Sequence, residues 1–305
     1  MGRFDERATQ PSRGPSDMFK WKVLRRSDPR PDDFAALDAI RPGIRDGGAQ
    51  ALASHEPVAV WIGHATWALR LGGKLIVTDP VFSKSLSGVV PRLVPPGVAL
   101  DALPPVDIVL VTHDHRDHMD LPSLAKLGDA PLYIVPVGNG KRIKHPNVVE
   151  LDWWQTHDVG DLAITLVPAR HWSMREPWNK NDTLWGGFVV RAPEGVAYHS
   201  GDTAFGEHFA EIAERVGAID WAMLPIGGYN PRWFMEPQHI DPIEATRGFA
   251  ALGARHLLAM HWGTFRLTDE AVGEPPHRLR TYWREQGLPD DRLWILDVGE
   301  ARSLR

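Results

Sequence analysis

Residues 111–120 read VTHDHRDHMD, with three histidines and three aspartates in ten positions, and they end the apolar run VDIVLV at 106–111. An apolar run of that length reads as a buried strand, and a polar burst at its end reads as a site on a loop. Within the burst the spacing is H-x-H-x-D-H. Residues two apart in extended chain face the same side, so His113 and His115 can grip one ion. The turn that follows can present Asp117 and His118 to a second position. Without a cation, so many charged groups in one place would cost several kcal/mol, roughly, in repulsion and desolvation. Asp114 lies between the two histidines and should face the other way, and Asp120 precedes LPSLAKL as a helix N-cap.

The rest of the chain repeats the arrangement. His171 follows ITLVPAR, Asp202 follows VAYHSG and His261 follows HLLAM, so several strands each deliver a polar group to one edge. Twelve β-rich runs punctuated by Gly, Pro and Asp begin at Pro57, from PVAVWIGHA to LWILDV. Three helices are expected among them: one near 207–216, one from an N-cap at Asp241 to about 252, and one near 268–286. Strands with helices interspersed predict sheet layers covered by helices in a single α/β domain over 34–305. Residues 1–33, rich in Arg, Asp, Pro and Ser, read as a flexible arm. Within it MFKWKVLRR at 18–26 can serve as a surface strap or lie on an anionic membrane.

Composition narrows the chemistry. The 305 residues include no cysteine, so disulfides, cysteine-ligated zinc and thiol nucleophiles are excluded and any metal is held by nitrogen and oxygen. Such donors suit Zn(II), and also Mn(II) or Fe(II). A net charge of -5 gives no basis for a general attraction to nucleic acid. The absence of an apolar leader or of a long apolar run places the chain in the cytoplasm by default. Thirteen tryptophans are numerous. Trp172 and Trp262 directly follow His171 and His261, while Trp178, Trp233 and Phe234 lie near other polar positions, so an apolar wall beside the site would suit a lipid.

The pattern H-x-H-x-D-H at His113, His115, Asp117 and His118, followed in order by PARHW, HSGDT and MHWGTF, resembles the metallo-β-lactamase superfamily. Within it, WIGHATWALRLGGKLIVTDPVFS, LPPVDIVLVTHDHRDHMD, NDTLWGGFVV and PIGGYNPRWFMEPQHIDPIEA are similar to the N-acylphosphatidylethanolamine-hydrolysing phospholipase D family and its bacterial relatives. The resemblance runs from about 57 to 265. It implies an αββα sandwich with two Zn²⁺ ions. His113, His115 and His171 would hold one ion, Asp117, His118 and His261 the other, and Asp202 would bridge them. Gln238 and His239 would lie beside the substrate phosphate, with His239 contacting it or assisting the leaving group. The implied reaction is phosphodiester hydrolysis of an N-acylphosphatidylethanolamine-like phospholipid, by attack of a metal-bridging hydroxide on phosphorus. The alternative is a lactonase related to L-ascorbate-6-phosphate lactonases. Peripheral contact with the inner membrane face, and a homodimer, are compatible with this reading. The loop at 84–100 departs from the family in detail, and lipid selectivity would be expected there and in the arm.

Three further residues are read separately. Asp79, before a proline, is expected to orient a metal-bound histidine, and His64 to hydrogen-bond in the same outer layer. His199 is expected to be structural only. So are His55, His145, His157, His208, His256 and His277.

Overall fold

The protein is described from a computed structural model covering residues 2–8, 13–24 and 27–305. Sixteen strands follow in chain order: β1 Val58–Gly63, β2 Thr66–Leu71, β3 Lys74–Thr78, β4 Ser85–Leu86, β5 Val90–Pro91, β6 Ile108–Leu110, β7 Leu132–Pro136, β8 Val148–Leu151, β9 Thr156–Val159, β10 Leu162–Val167, β11 Gly187–Ala192, β12 Gly195–His199, β13 Trp221–Pro225, β14 His256–Met260, β15 Leu293–Trp294 and β16 Ala301–Ser303. The helices are α1 Pro15–Lys22, α2 Phe34–Ala39, α3 Gly48–Ala53, α4 Leu121–Leu127, α5 His208–Val216, α6 Arg232–Met235, α7 Pro242–Leu252 and α8 Glu274–Glu285. One seven-stranded sheet has the order β16-β1-β2-β3-β6-β7-β8, a second has β15-β14-β13-β12-β11-β10-β9, and β4 and β5 form a small hairpin.

The period of two along each strand explains the layering. In β1, Ala59 and Trp61 join the core between the sheets, while Val58, Val60 and Ile62 turn outward beneath Leu52 of α3. In β6 and β7, Ile108, Leu110 and Ile134 point inward, and Val109, Tyr133 and Val135 pack under α4. Both faces are buried, which is why these strands are apolar throughout rather than alternating. On the second sheet α7 packs against β13, flanked by α5 and α8. The result is an αββα sandwich.

The helix expected near 268–286 begins only at Glu274. Pro275 and Pro276 are tolerated in a first turn and not further inside, so they set its start. Asp241 caps α7 as expected, accepting from the Glu244 amide at 2.8 Å. Asp120 occupies the N-cap position of α4, but its carboxylate accepts from the hydroxyls of Ser123 and Ser83 rather than from the helix amides.

Several described residues of the N-terminal arm pack on the domain. Phe4 is buried in the main core, Arg7 pairs with Asp152, and Trp21 of α1 is buried against Phe234 and Met235. The Trp21 indole donates to Asp269 at 2.6 Å. These aromatic anchors dock a segment whose average composition is polar. Arg25 and Arg26, the last two residues of the aromatic and basic stretch, lie outside the described residues, as do Met1 and 9–12. Among the described residues no helix is long and apolar enough to cross a membrane.

Candidate metal centre

Each functional side chain leaves the end of a strand on one edge of the sandwich. The first sheet supplies His64 from the β1–β2 turn, Asp79 after β3, and His113, His115, Asp117 and His118 after β6. The second supplies His171 after β10, Asp202 after β12, His239 after β13 and His261 after β14. Three of these residues have left-handed backbone, His64 at φ 54°, Asp79 at 36° and His261 at 63°. Non-glycine residues held this way cost about 1–3 kcal/mol each and gather at functional sites. Glycines permit the close approach around them. A Cβ on Gly228, at φ +83°, would lie 3.1 Å from His261 Cε1 and 3.4 Å from His239 Nδ1.

The seven residues expected as ligands converge in two groups. In the first, His115 Nδ1 lies 2.9 Å from His113 Nε2 and 3.2 Å from His171 Nε2. Asp202 Oδ2 stands 3.9 Å from His113 Nε2 and 3.8 Å from His171 Nε2. In the second, Asp117 Oδ2 lies 3.8 Å from His118 Nε2 and 3.6 Å from His261 Nε2. Asp202 reaches this group too, with Oδ2 3.2 Å from His118 Nε2 and Oδ1 3.3 Å from His261 Nε2. An ion bound tetrahedrally at about 2.0–2.1 Å would set its donors roughly 3.3 Å apart, within the range observed. His118 Nε2, His261 Nε2 and Asp202 Oδ1 are buried without a hydrogen-bond partner, as atoms meant for a cation would be. The donor set therefore fits divalent metal at both positions.

Behind the groups lies a layer that sets tautomers. Asp79 accepts from the Thr112 amide at 2.7 Å, from the Thr112 hydroxyl at 2.8 Å and from His118 Nδ1 at 2.8 Å. Because the Thr112 hydroxyl donates to Asp79, it accepts the Nδ1 proton of His113, 3.0 Å away. His171 Nδ1 donates to the Gln238 carbonyl at 2.9 Å. Each of these imidazoles thus keeps a Nε2 lone pair for the centre.

His199, expected to be structural, has a definite place in this layer. Its Nε2 lies 3.1 Å from Asp79 Oδ2, which makes it a second prop of that carboxylate. His199 ends a strand buried almost throughout, and a polar residue there was the only sequence signal of its role.

Electrostatics favour a cation. Burial drives His115 down to about 4 and His171 to about 3, and His113 well below the usual imidazole range, so all three are neutral as ligation requires. At His118 burial works the same way but is outweighed by Asp202, Asp79 and Asp117, which pull it well upward. At His261 burial is outweighed by Asp202 and Asp117, which lift it to about 9. Burial opposes ionisation of Asp117 and Asp202, yet the neighbouring histidines hold both well below the carboxylate range. A divalent ion would take the place of the protons these carboxylates draw onto His118 and His261.

Other predicted residues separate clearly. The His239 ring sits in the centre, its Nδ1 3.9 Å from Asp202 Oδ2, and burial lowers it to about 3. Gln238 contributes its backbone carbonyl, while its side-chain amide turns to the Met235 sulfur at 3.7 Å. Asp114 faces away, toward Arg142 at 3.4 Å. His145 pairs with Asp129 and His208 with Thr203, both outside the centre. Trp172 stands edge-on to His115 at 4.8 Å, whereas Trp262 stacks on Trp61 as core. Arg175 was not anticipated: it donates to the carbonyls of Asp114 at 3.1 Å and Met119 at 2.8 Å, bracing the ligand loop.

Comparison with known proteins places this geometry. Residues 74–262 match the beta-lactamase superfamily domain. The chain is 39% identical to an uncharacterized protein of Mycobacterium tuberculosis, over 86% of its own length and 72% of that protein's. It is 33% identical to N-acyl-phosphatidylethanolamine-hydrolyzing phospholipase D 1 of Caenorhabditis elegans, over 94% of its own length and 87% of that protein's. Among solved structures, a metallo hydrolase from the archaeon Ignicoccus hospitalis superposes with a TM-score of 0.62 at 19% identity, covering 81% of this chain and 97% of that one.

Proposed function

The chain belongs to the beta-lactamase superfamily as a metal-dependent hydrolase, and from that premise we propose that it is a phosphodiesterase of the phospholipase D type. Its substrate in this reading is an N-acylphosphatidylethanolamine-like phospholipid, cleaved to an N-acylethanolamine and a phosphatidic acid. The likeness to the nematode phospholipase along nearly the whole chain supports the reaction. The observation that carries the substrate class is an apolar rim in the chain's own segments beside the ligands, made of exposed apolar side chains. Trp178, 81% exposed, follows the His171 ligand segment; Val89, 80% exposed, lies on the β4–β5 hairpin; Phe205 follows Asp202. Arg116, from the ligand loop itself, ties the first two segments together by donating to Ser87 and Glu176, each at 3.3 Å. Met18, Phe19, Val23 and Leu24 are likewise exposed on and just after α1, which packs on α6 just before His239. A small water-soluble substrate has no use for such a border, whereas acyl chains do.

Two Zn²⁺ ions, when bound, would neutralise charge on the phosphate oxygens and acidify a water toward neutral pH. His113, His115 and His171 would hold one and Asp117, His118 and His261 the other, with Asp202 shared. The chain's own part is orientation. Asp79 and the Gln238 carbonyl fix the imidazoles, and His239, with a buried and unpaired Nδ1, would face the phosphate and its leaving oxygen.

Zinc-loaded protein in mixed micelles is expected to release N-acylethanolamine and phosphatidic acid from N-acylphosphatidylethanolamine. Lactones and cyclic phosphates assayed alongside provide the contrast, since a metal site does not by itself choose the bond. Lactone opening with no cleavage of the lipid phosphodiester would replace this reading.

The rim also makes this a peripheral membrane enzyme in our reading, with Lys20 and Lys22 beside the exposed apolar residues of α1. Sedimentation with anionic phosphatidylserine vesicles should carry the wild-type chain down. The double variant Phe19→Glu, Trp178→Glu is expected to bind at least about tenfold more weakly, from the lost apolar burial alone. Equal binding by the two proteins would remove the membrane contact.

A further inference from the structure

The β1–β2 turn carries a histidine, His64, that lies within reach of the second metal group beside Asp117, His118 and His261. His64 is buried, and its Nε2 lies 3.1 Å from Asp117 Oδ2, the oxygen that faces His118 and His261. Its ring lies against that of His261, centroids 4.0 Å apart. Main-chain bonds lock the pair: the His261 amide donates to the His64 carbonyl at 3.0 Å, and the His64 amide donates to the Thr264 hydroxyl at 2.7 Å. The Trp61 indole donates to the same His64 carbonyl at 3.0 Å. Pairing of β1 with β2 shifts register between Trp61 and Gly63, just before this turn, and His64 itself has left-handed backbone at φ 54°. A turn so distorted and so fully bonded is built to hold its side chain in one place.

We propose that His64 is a positioning residue for the second ion, donating its Nε2 proton to Asp117 Oδ2 so that this oxygen keeps one lone pair directed at the metal. His118, His261 and the shared Asp202 already supply the remaining donors, so His64 acts through Asp117 rather than by ligation. The tilted ring contact with His261 lets one imidazole steady two ligands of the same ion, from opposite sheets. Outer-layer partners of this kind govern metal affinity by about 10–100-fold. The assignment rests on the two-ion reading above and not on the choice of lipid.

The test is metal binding itself. Metal-free protein is titrated with Zn²⁺ against a chromophoric chelator, and with Co²⁺ followed by visible absorption, for wild type, His64→Ala, His64→Phe and His64→Gln. In His64→Ala and His64→Phe the second ion should bind about 10–100-fold more weakly while the first is unchanged. In His64→Gln, whose amide can reach the same oxygen, much of the affinity should return. Unchanged second-ion binding in His64→Ala, equal weakening of both ions, or wild-type affinity in His64→Phe would each overturn the assignment. Binding of a single ion by the wild-type chain would overturn the two-ion reading and this assignment with it, whatever the protein does to lipids.

Discussion

Asp202→Asn is expected to lower kcat/KM by about 1,000-fold or more while the protein still folds. Asp202 faces both groups: its Oδ2 lies 3.8 Å from His171 of the first and 3.2 Å from His118 of the second, and its Oδ1 lies 3.3 Å from His261. An amide of the same shape loses the negative charge and puts an NH₂ in place of one of these oxygens, either Oδ2 between the two groups or Oδ1 beside His261. It can therefore no longer be shared between two cations. Metal analysis alongside kinetics should find closer to one ion per chain than two. Adding His115→Ala removes a ligand of the first ion, and the double variant should fall to background. A wild-type rate in that double variant would rule out any two-ion mechanism.

Asp79→Ala should be the most damaging single change to stability, costing about 3–5 kcal/mol. It leaves His118 Nδ1, His199 Nε2 and the Thr112 amide and hydroxyl buried without their shared acceptor. Asp79→Asn is milder in size but presents an NH₂ to groups that already donate. The pH dependence has a definite sign. Burial works against the Asp79 charge, yet His118 and His199 hold its carboxyl down to about 2, from an ordinary 3.8. Its contribution is thus complete above about pH 4 and is lost as pH falls toward 2, a difference worth about 2 kcal/mol. Urea unfolding of metal-free wild type and Asp79→Ala at pH 7 and pH 2, read as the difference between the two proteins, measures it. A variant as stable as wild type at pH 7 would show that Asp79 props nothing.

The strands and the first layer of the centre were readable because one rule governs both: an apolar run buried on two faces must end where its first polar residue reaches solvent or a site. All twelve runs became strands, and the histidines and aspartates after β6, β10, β12 and β14 converged, while Asp152 and Asp297 at the ends of two others pair with Arg7 and Arg45. What escaped notice has physical reasons. β9 reads THDV and β16 reads ARS, edge strands held by backbone pairing with little apolar content to betray them. The short helix α3 begins at a left-handed Gly47 without a side-chain cap, so no start signal existed. Phe4 and Trp21 are anchors within a segment whose average composition argued against packing. His199 and Thr112 meet at Asp79 from positions 120 and 33 residues away, a relation that spacing in the chain cannot express.

The two-sheet origin of the ligands bears on how the molecule holds together. Each metal group takes members from both layers: His113 and His115 opposite His171 and Asp202, and Asp117 and His118, with His64 beside them, opposite His261. A bound ion is therefore a rivet through the sandwich, and the work of docking one sheet on the other is coupled to the chemical potential of the metal. The C-terminal strand strengthens that coupling, since β16 returns from the second layer to pair with β1 of the first. Neither half of the chain owns a site, so metal supply in the cell would govern how much of this protein stays folded as well as how much is active.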